Sequence, residues 1–405
     1  VEYSTIHSCS SIVAGGGMYL YWTHHYILIY ETNWTENTAN MGGAIFTSTV
    51  VNQLVIAGSN FIGNTAYSEG GGAILLEGNN PHLVVTDTST ADHLQVIETS
   101  HPYINPTITV EGEGEVYTKF YNYTVVDMDA ISFILQFDTA SDLGSYDELM
   151  VWDSSGVRRL WLGNGDWWPG YQIPALRLNG SQFTVEMWGY SSHFKPATST
   201  TDGRYGFKLF ITPILLHTGK LTTFRDNFAR NGAGGGVNMM FLVAFPNLIN
   251  VIFSNNTANT GGALSIGTTS AGVNLENVIF EYNTAITHGG SMHIYASNAG
   301  LIVYNCSFLY NTAYSNGGAI AIGLSNGHMK IILMLELRFQ FINCDFLEND
   351  SNNGGAIYLD RANYITFEKC LFQRNKAIKS GGSINIIQEN TVILSNTMFK
   401  QNMAL

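Results

Sequence analysis

Charge is scarce in this chain. Only 12% of its 405 residues are Asp, Glu, Lys or Arg, against roughly 25% in an ordinary soluble domain. The 18 basic residues are spread thinly among 31 acidic ones, for a net charge of −13. No basic stripe of the kind that phosphate backbones require is present, which excludes nucleic acid as a partner. Long apolar runs are also missing. The most apolar stretch, Lys330 to Phe341, is interrupted by Glu336 and Arg338, so it reads as a strand with a bulge of about ten residues and not as a membrane span. There is no G-x-S-x-G phrase, no phosphate-cradling Gly loop followed by Lys and Ser/Thr, and no C-x-x-C. No signal peptide is visible, and the chain opens at Val1 and stops at "FKQNMAL", where another Gly-Gly is due. That pattern is expected of a processed chain or a fragment, and a solenoid stopping in mid-coil would expose a sheet end that invites pairing.

What the chain does have is a repeat. The phrase F-x-x-N-x-A, followed within a few residues by G-G-A-I, occurs as "WTENTANMGGAIF" from Trp34, "FIGNTAYSEGGGAI" from Phe61, "FRDNFARNGAGGGV" from Phe224, "FSNNTANTGGALSI" from Phe253 and "FEYNTAITHGGSMHI" from Phe280. Further copies start at Phe308, Phe346 and Phe372, and a partial one at Phe399; from Phe224 the steps are 29, 27, 28, 38, 26 and 27 residues. Each copy is one supersecondary unit stacked on the next. After Gly-Gly the pattern has period 2: Ile320 and Ile322 flank Ala321, and the equivalent intervening residues are Ser265, His293, Ala321, Tyr358 and Asn385, a mixed outward face. Two adjacent glycines would cost roughly 1 kcal/mol each in a helix but suit a sharp corner. The expected fold is therefore all-β: a right-handed parallel β-helix, about 27 residues per coil, with coils about 4.8 Å apart. Phe253, Phe280, Phe308, Phe346 and Phe372 should stack as an internal aromatic column. Asn256, Asn283, Asn311, Asn349, Asn375 and Asn402 should form a ladder of side-chain amides between coils. These residues build the rod and catalyse nothing.

With 38 Asn and 45% hydrophobic residues, the surface must be Asn, Ser, Thr, Gly and Tyr. N-x-S/T sequons at Asn33, Asn122, Asn179, Asn255, Asn305 and Asn349 together favour a secreted, N-glycosylated protein outside the cell or on its surface. Cys306, Cys344 and Cys370 each lie two residues before the repeat Phe, in the position held elsewhere by Val251, Val278 and Thr397. They either fill an apolar layer or include one disulfide between adjacent coils, since three in a column cannot all pair. Cys9 has no place in that column.

Between Phe61 and Phe224 the interval is 163 residues, so an independent domain is inserted into the stack. The boundaries read as coils over 1–82, an insertion over 83–213 and coils again over 214–405. Inside it, "AISFILQF", "YDELMVWD", "FTVEMWGY" and "YGFKLFIT" read as strands of a small antiparallel β-sandwich. The phrases "ETSHPYINP", "ISFILQFDTASDLGSYDELMVWDSSG", "LNGSQFTVEMW" and "DGRYGFKLFIT" resemble the CUB family, particularly its Cys-free members. That resemblance implies a calcium site at Asp147 with Asp138 or Asp142 and, because the usual later Ser-Asp reads Ser191-Ser192 here, Asp202. The alternative is that these acids cap turns. The repeats themselves resemble those of chlamydial polymorphic outer-membrane proteins and of protist surface proteins, which implies fold but not activity.

Parallel β-helices are often polysaccharide lyases or hydrolases, which need carboxylates clustered on adjacent coils. The position two after each repeat aromatic reads Glu36, Gly63, Asp226, Asn255, Tyr282, Tyr310, Glu348, Arg374 and Gln401, with no two neighbouring acids. His288 and His293 flank a Gly-Gly turn and His24 adjoins His25; without acidic companions they read as turn and surface histidines. Catalysis is not expected. The leading expectation is an extracellular structural rod that associates with itself or with related solenoids in a filament. The alternative is an adhesin whose insertion binds glycan or protein through Trp161, Trp167, Trp168, Tyr171 and Trp188, and a polysaccharide lyase ranks third.

Overall fold

The structure, a computed structural model, describes the chain apart from residues 24–25, 51–52, 79–81, 99–116, 139–140, 142, 144–146, 164, 167, 171–174, 191–205, 241–245, 268–272, 296–300, 324–337, 361–363 and 389–390. It divides into two compact units, Val1–Ala91 with Gly219–Leu405, and Asp92–Thr218.

The first unit is a parallel β-solenoid. Each coil gives one short strand to each of four sheets. Sheet I carries the repeat aromatics in ten strands from Thr5–His7 to Met398–Lys400, and sheet II follows the Asn corner in nine strands from Thr38–Met41 to Met403–Ala404. Sheet III follows Gly-Gly in nine strands from Met18–Thr23 to Ile384–Ile387, and sheet IV closes the coil in nine from Ile27–Tyr30 to Thr391–Ser395. Register is strict. Phe61 pairs with Phe224 across the insertion, and Phe224, Phe253, Phe280, Phe308, Phe346 and Phe372 then pair in succession. From Phe61 to Phe399 neighbouring rings stack with centroids 4.5 to 5.0 Å apart and planes within 9°.

The amide ladder runs the length of the stack. In each coil the Asn backbone N–H and Nδ2 both donate to the Oδ1 of the next Asn, and Nδ2 donates again to the carbonyl of the preceding coil's aromatic. Asn283, for instance, receives Asn256 N and Nδ2 at 3.0 Å each and donates Nδ2 to Phe253 O and Asn311 Oδ1 at 3.0 Å each. Such saturation lets a polar side chain be fully buried. The ladder crosses the insertion directly, from Asn64 to Asn227. It begins one coil earlier than the repeat phrase suggests: Ile6 pairs with Trp34, and the Cys9 N–H donates to Asn37 Oδ1. The residue that had no place thus stands where Asn stands elsewhere.

Three corner files are left-handed. The residue before the ladder Asn has φ between 52° and 57° at Ser8, Glu36, Asp226, Asn255, Tyr282, Tyr310, Glu348, Arg374 and Gln401, a conformation costing roughly 1 kcal/mol outside Gly. In the Gly-Gly corner the two glycines serve different ends. Gly289 has φ +66°, whereas Gly290 has an ordinary φ but a Cβ there would lie 2.0 Å from the carbonyl oxygen of Gly318 in the next coil. A third file, at Asn250, Asn277, Asn305 and Asn343, is also left-handed.

The solenoid holds on to the chain for longer than expected before the insertion. Strand His82–Thr86 pairs in parallel with Gln53–Ala57 and Asn247–Ile249, so the second unit starts at Asp92 and ends at Thr218 instead of spanning 83–213. Exit and return are joined by the buried Asp87, which caps the short helix Thr88–Asp92 through Thr90 and accepts from Gly219 N–H and Asn250 Nδ2.

The second unit has two four-stranded antiparallel sheets. One is ordered Gln95–Glu98, Lys208–Leu215, Ala130–Phe137, Leu176–Asn179; the other Tyr117–Val126, Gln182–Tyr190, Glu148–Asp153, Arg158–Leu162. Residues of both, including Phe133, Leu135, Leu209, Leu149, Val151, Phe183 and Val185, share one core cluster.

Candidate functional site

The two inner strands of the second sheet alternate, and its face away from the core is unusual. Along Gln182–Tyr190, Phe183, Val185 and Met187 are buried in the core, which sends Gln182, Thr184, Glu186 and Trp188 to the other face. Leu149 and Val151 likewise send Glu148, Met150 and Trp152 outward, and Leu160 and Leu162 leave Trp161 half exposed. Register then sets Trp152 beside Thr184, and Met150 between Glu186 and Trp161.

Glu186 organises this face. Its Oε2 accepts from the indole Nε1 of Trp152 at 3.1 Å and of Trp188 at 3.2 Å, and its Oε1 from Lys119 Nζ at 2.5 Å. Burial would raise the carboxyl pKa, but the hydrogen bond from Lys119, that from Trp188, the Lys119 charge and the bond from Trp152 outweigh it and hold it below the usual glutamate range. The Lys119 ammonium also lies 5.1 Å from the centre of the Trp188 ring, which stacks on Tyr117 at 5.9 Å; Tyr117 in turn donates to Glu148. Arg158 lies over Trp161 at 5.9 Å. Beside this array is a cleft of about 260 Å³ lined by Trp152, Asp153, Ser154, Gly156, Gln182, Phe183, Thr184 and Glu186. Asp153 holds its rim: it accepts from Ser155 Oγ and N, Val157 N and Arg159 Nε. The Ser155 hydroxyl first, then Val157 and Arg159, pull its pKa well below the carboxylate range.

Of the aromatics expected to face a ligand, Trp161 and Trp188 lie on the face away from the core. Trp168 instead packs in the core against Phe137 at 5.0 Å, and Trp167 and Tyr171 lie outside the described residues. Trp152 was missed, although the alternation of "ELMVWD" puts it on the same side as Glu148. Of the expected calcium ligands, Asp142 and Asp202 lie outside the described residues, Asp147 is buried, and the Asp138 N–H donates to Lys208 O. A different trio, His93, Asp127 and Asp129, has ligand atoms within 4.8 Å of one another, with His93 Nδ1 bonded to Asp127 Oδ2 at 2.8 Å.

The sequons differ sharply. Asn349 is fully buried with Nδ2 bonded to Phe308 O and Asn375 Oδ1, so a glycan there is incompatible with the folded ladder, which corrects the sequence expectation. Asn255 and Asn305 are exposed, but each commits Nδ2 to a neighbouring coil, Asn255 to Asp226 and Asn305 to Asn277. Asn33 is half-buried and accepts from Asn60, whereas Asn122 and Asn179 are exposed on the second unit.

All four cysteines are free thiols, so no intercoil disulfide joins Cys306, Cys344 and Cys370. Each sulfur turns instead to backbone carbonyls, Cys306 to Tyr304, Cys344 to Ile342 and Val303, Cys370 to Phe341 and Glu368. The Cys306 sulfur also accepts from Val278 N–H, as Ser59 Oγ does from Thr32 N–H. Burial pushes the Cys306 thiol up to about 12, which makes it inert.

His24 and His25 lie outside the described residues. His293 is not a turn histidine. It sits within sheet III in register between Ser265 and Ala321, its ring 5.4 Å from Tyr295 and 5.6 Å from His288. Its Nδ1, Ser265 Oγ and Asn238 Oδ1 are buried with no hydrogen-bond partner among the described residues. Burial, then the proximity of His288, lower its pKa to about 3, so it is neutral at pH 7.

Residues 305–323, one Asn305-to-Gly323 segment spanning the Phe308, Asn311 and Gly317-Gly318 corners, match the Chlamydia polymorphic membrane protein repeat. No curated protein matches the chain. Among solved structures, a glycoside hydrolase is similar over 97% of this chain and 89% of its own at 8% identity, but the TM-score of 0.14 carries no argument. What the comparisons establish is confined to the repeat: a polymorphic-membrane-protein-like coil within a parallel β-solenoid.

Proposed function

We propose that this chain is a cell-surface protein whose solenoid is a stiff scaffold and whose second unit, read as a CUB-like sandwich, is a binding module. One observation carries the reading. A single carboxylate on the face away from the core fixes two indoles and an ammonium at once. The core of that unit does not need this array, and rigid, pre-oriented Trp and Tyr side chains are what binding faces use, because little side-chain freedom is lost on contact. The corner file of the solenoid supports the non-catalytic part of the reading, since its acids meet separate partners and not one another: Glu36 accepts from Ser8, Asp226 meets Asn255 and Arg225, and Glu348 meets Arg374. The module acts outside the cell in this reading, with an N-linked glycan at the exposed Asn179; a glycan at Asn122, opposite Glu186 in register, would cover the binding face. Among the described residues no helix is long and apolar enough to cross a membrane, which says nothing of strands.

The test is retention of the full chain on a mucin-coated surface against a bare one. Trp188→Ala and Trp152→Ala should each lower retention at least about tenfold, or 1.4 kcal/mol, with the solenoid's melting unchanged. Retention equal to the parent in both variants removes the reading.

A second reading, assembly with copies of itself or related solenoids in a filament, is favoured by an apolar patch on two consecutive coils. Tyr282, Ile286, Tyr310 and Tyr314 are all exposed, with Tyr282 and Tyr310 stacked at 4.9 Å. Sedimentation that finds monomers at every concentration, identical for Tyr314→Lys, removes it.

A further inference from the structure

We propose that the cleft between Trp152 and the Ser154–Gly156 turn is a subsite for one pyranose unit of a neutral saccharide. This deepens the binding-module reading and rests on it.

Charge selects the ligand class first. Two acids line the cleft, and each is already matched: Glu186 by Lys119 at 2.5 Å and Asp153 by Arg159 at 2.6 Å. Among the described residues no cation lines the cleft, and the guanidinium of Arg158, opposite Trp152 in register, lies over the Trp161 ring at 5.9 Å, so an anionic ligand in the cleft itself would meet two carboxylates. A cationic ligand would have to displace Lys119 or Arg159 from hydrogen bonds that also hold the indoles and the rim turn. A neutral ligand meets neither obstacle.

Hydrogen-bonding capacity selects next. Once the internal bonds are counted, the Ser154 hydroxyl and the Gln182 amide have no partner among the described residues, and the Thr184 hydroxyl shares one bond with Thr124 at 2.9 Å. An amide and two hydroxyls each donate and accept, which is what a run of sugar hydroxyls demands and what a hydrocarbon ligand would leave unsatisfied. The indole of Trp152 forms the apolar wall. Its Nε1–H is taken up by Glu186, so the rest of the ring is left for the C–H face of a sugar. Size selects last: about 260 Å³ is below the roughly 300–1,000 Å³ of sites that enclose drug-sized ligands, and suits a single ring with its neighbours extending outward. Trp161, half exposed one strand beyond Met150, is placed to continue the platform.

The experiment uses the full chain with methyl glucoside, methyl galactoside, methyl mannoside and N-acetylglucosamine, with glucuronic acid as the charged comparison. Tryptophan emission and saturation-transfer NMR report binding. At least one neutral sugar should bind in the millimolar range, and more tightly than glucuronic acid. Gln182→Ala should weaken it about tenfold and Trp152→Ala should abolish it, with the far-UV spectrum and melting of both variants unchanged. Absence of binding by every neutral sugar, tighter binding of glucuronic acid, or binding indifferent to both substitutions overturns the subsite. If Trp188→Ala still abolishes retention on mucin while no sugar competes, the binding face stands and its ligand is protein. If Trp188→Ala and Trp152→Ala leave retention intact, the binding-module reading itself has failed.

Discussion

Removing one rung of the buried amide ladder should cost far more than the single side chain suggests. In Asn283→Ala, the N–H and Nδ2–H of Asn256 both lose their acceptor, Asn283 Oδ1, from 3.0 Å. Each is a buried donor left without water, at roughly 1–3 kcal/mol. Asn311 Oδ1 keeps the Asn283 backbone N–H, and Phe253 O loses its amide donor. Together with the small void, the cost is about 4 kcal/mol, above the common range for point substitutions. Because solenoid coils open semi-independently, the quantity to measure is local, by hydrogen exchange. The Thr284 amide, bonded to Asn256 O at 2.9 Å, should exchange about a thousandfold faster. Asn283→Asp restores the acceptor but sets a carboxylate against Asn311 Oδ1, so its exchange should slow again on acidification. The exposed Asn255, with its single bond to Asp226, should cost less than about 1 kcal/mol when replaced by Ser. Exchange at Thr284 within tenfold of the parent in Asn283→Ala would refute the claim that the ladder holds the coils.

The two kinds of corner glycine should separate cleanly: Gly290→Ala places Cβ 2.0 Å from Gly318 O and should cost at least about 3 kcal/mol, read as a lower urea midpoint. Gly63→Asn should be nearly neutral, since its Cβ meets nothing closer than Glu36 Cγ at 3.8 Å and Asn255 already holds the same conformation. His293, whose pKa falls from 6.5 to about 3 on folding, favours the neutral form in the folded state. Its contribution is therefore complete above pH 6.5 and is lost as pH falls from 6.5 toward 3, by at most about 5 kcal/mol. His293→Gln should flatten that limb of a stability–pH curve, and an unchanged limb would contradict it. Glu186, held below the ordinary glutamate range, should keep tryptophan emission constant as pH falls to 4.5, with a change only below that.

Much of the solenoid was legible because its rule is local and repeated. A Phe every 26 to 29 residues from Phe224 on, apart from one step of 38, has one economical arrangement once glycines forbid a helix, and the Asn three residues later completes it. The degenerate first coil was not legible, because Ile6 and Cys9 keep the geometry without the letters. The insertion's start was misplaced for a related reason: "HLVVT" looks like any strand, and only pairing with Gln53–Ala57 and Asn247–Ile249 assigns it to the solenoid.

The candidate site was half visible. Aromatic richness was plain, but which face each ring takes depends on pairing register. Trp168 went inward to Phe137, and Trp152 reached the carboxylate that Trp188 already adjoins on its own strand only because antiparallel register set it beside Glu186. Sequons, likewise, are read from three letters, whereas the burial of Asn349 is a property of the stack.

The sequence by itself determined that this chain stacks parallel coils on an aromatic column and an asparagine ladder, since period and turn chemistry are encoded within each repeat. Only the tertiary structure decided which polar groups are sealed, which thiols stay free, and which tryptophans share one carboxylate. Each of those outcomes needs contacts between residues far apart in the chain, such as the 34 positions from Trp152 to Glu186 or the 163 from Asn64 to Asn227, where sequence spacing carries no distance.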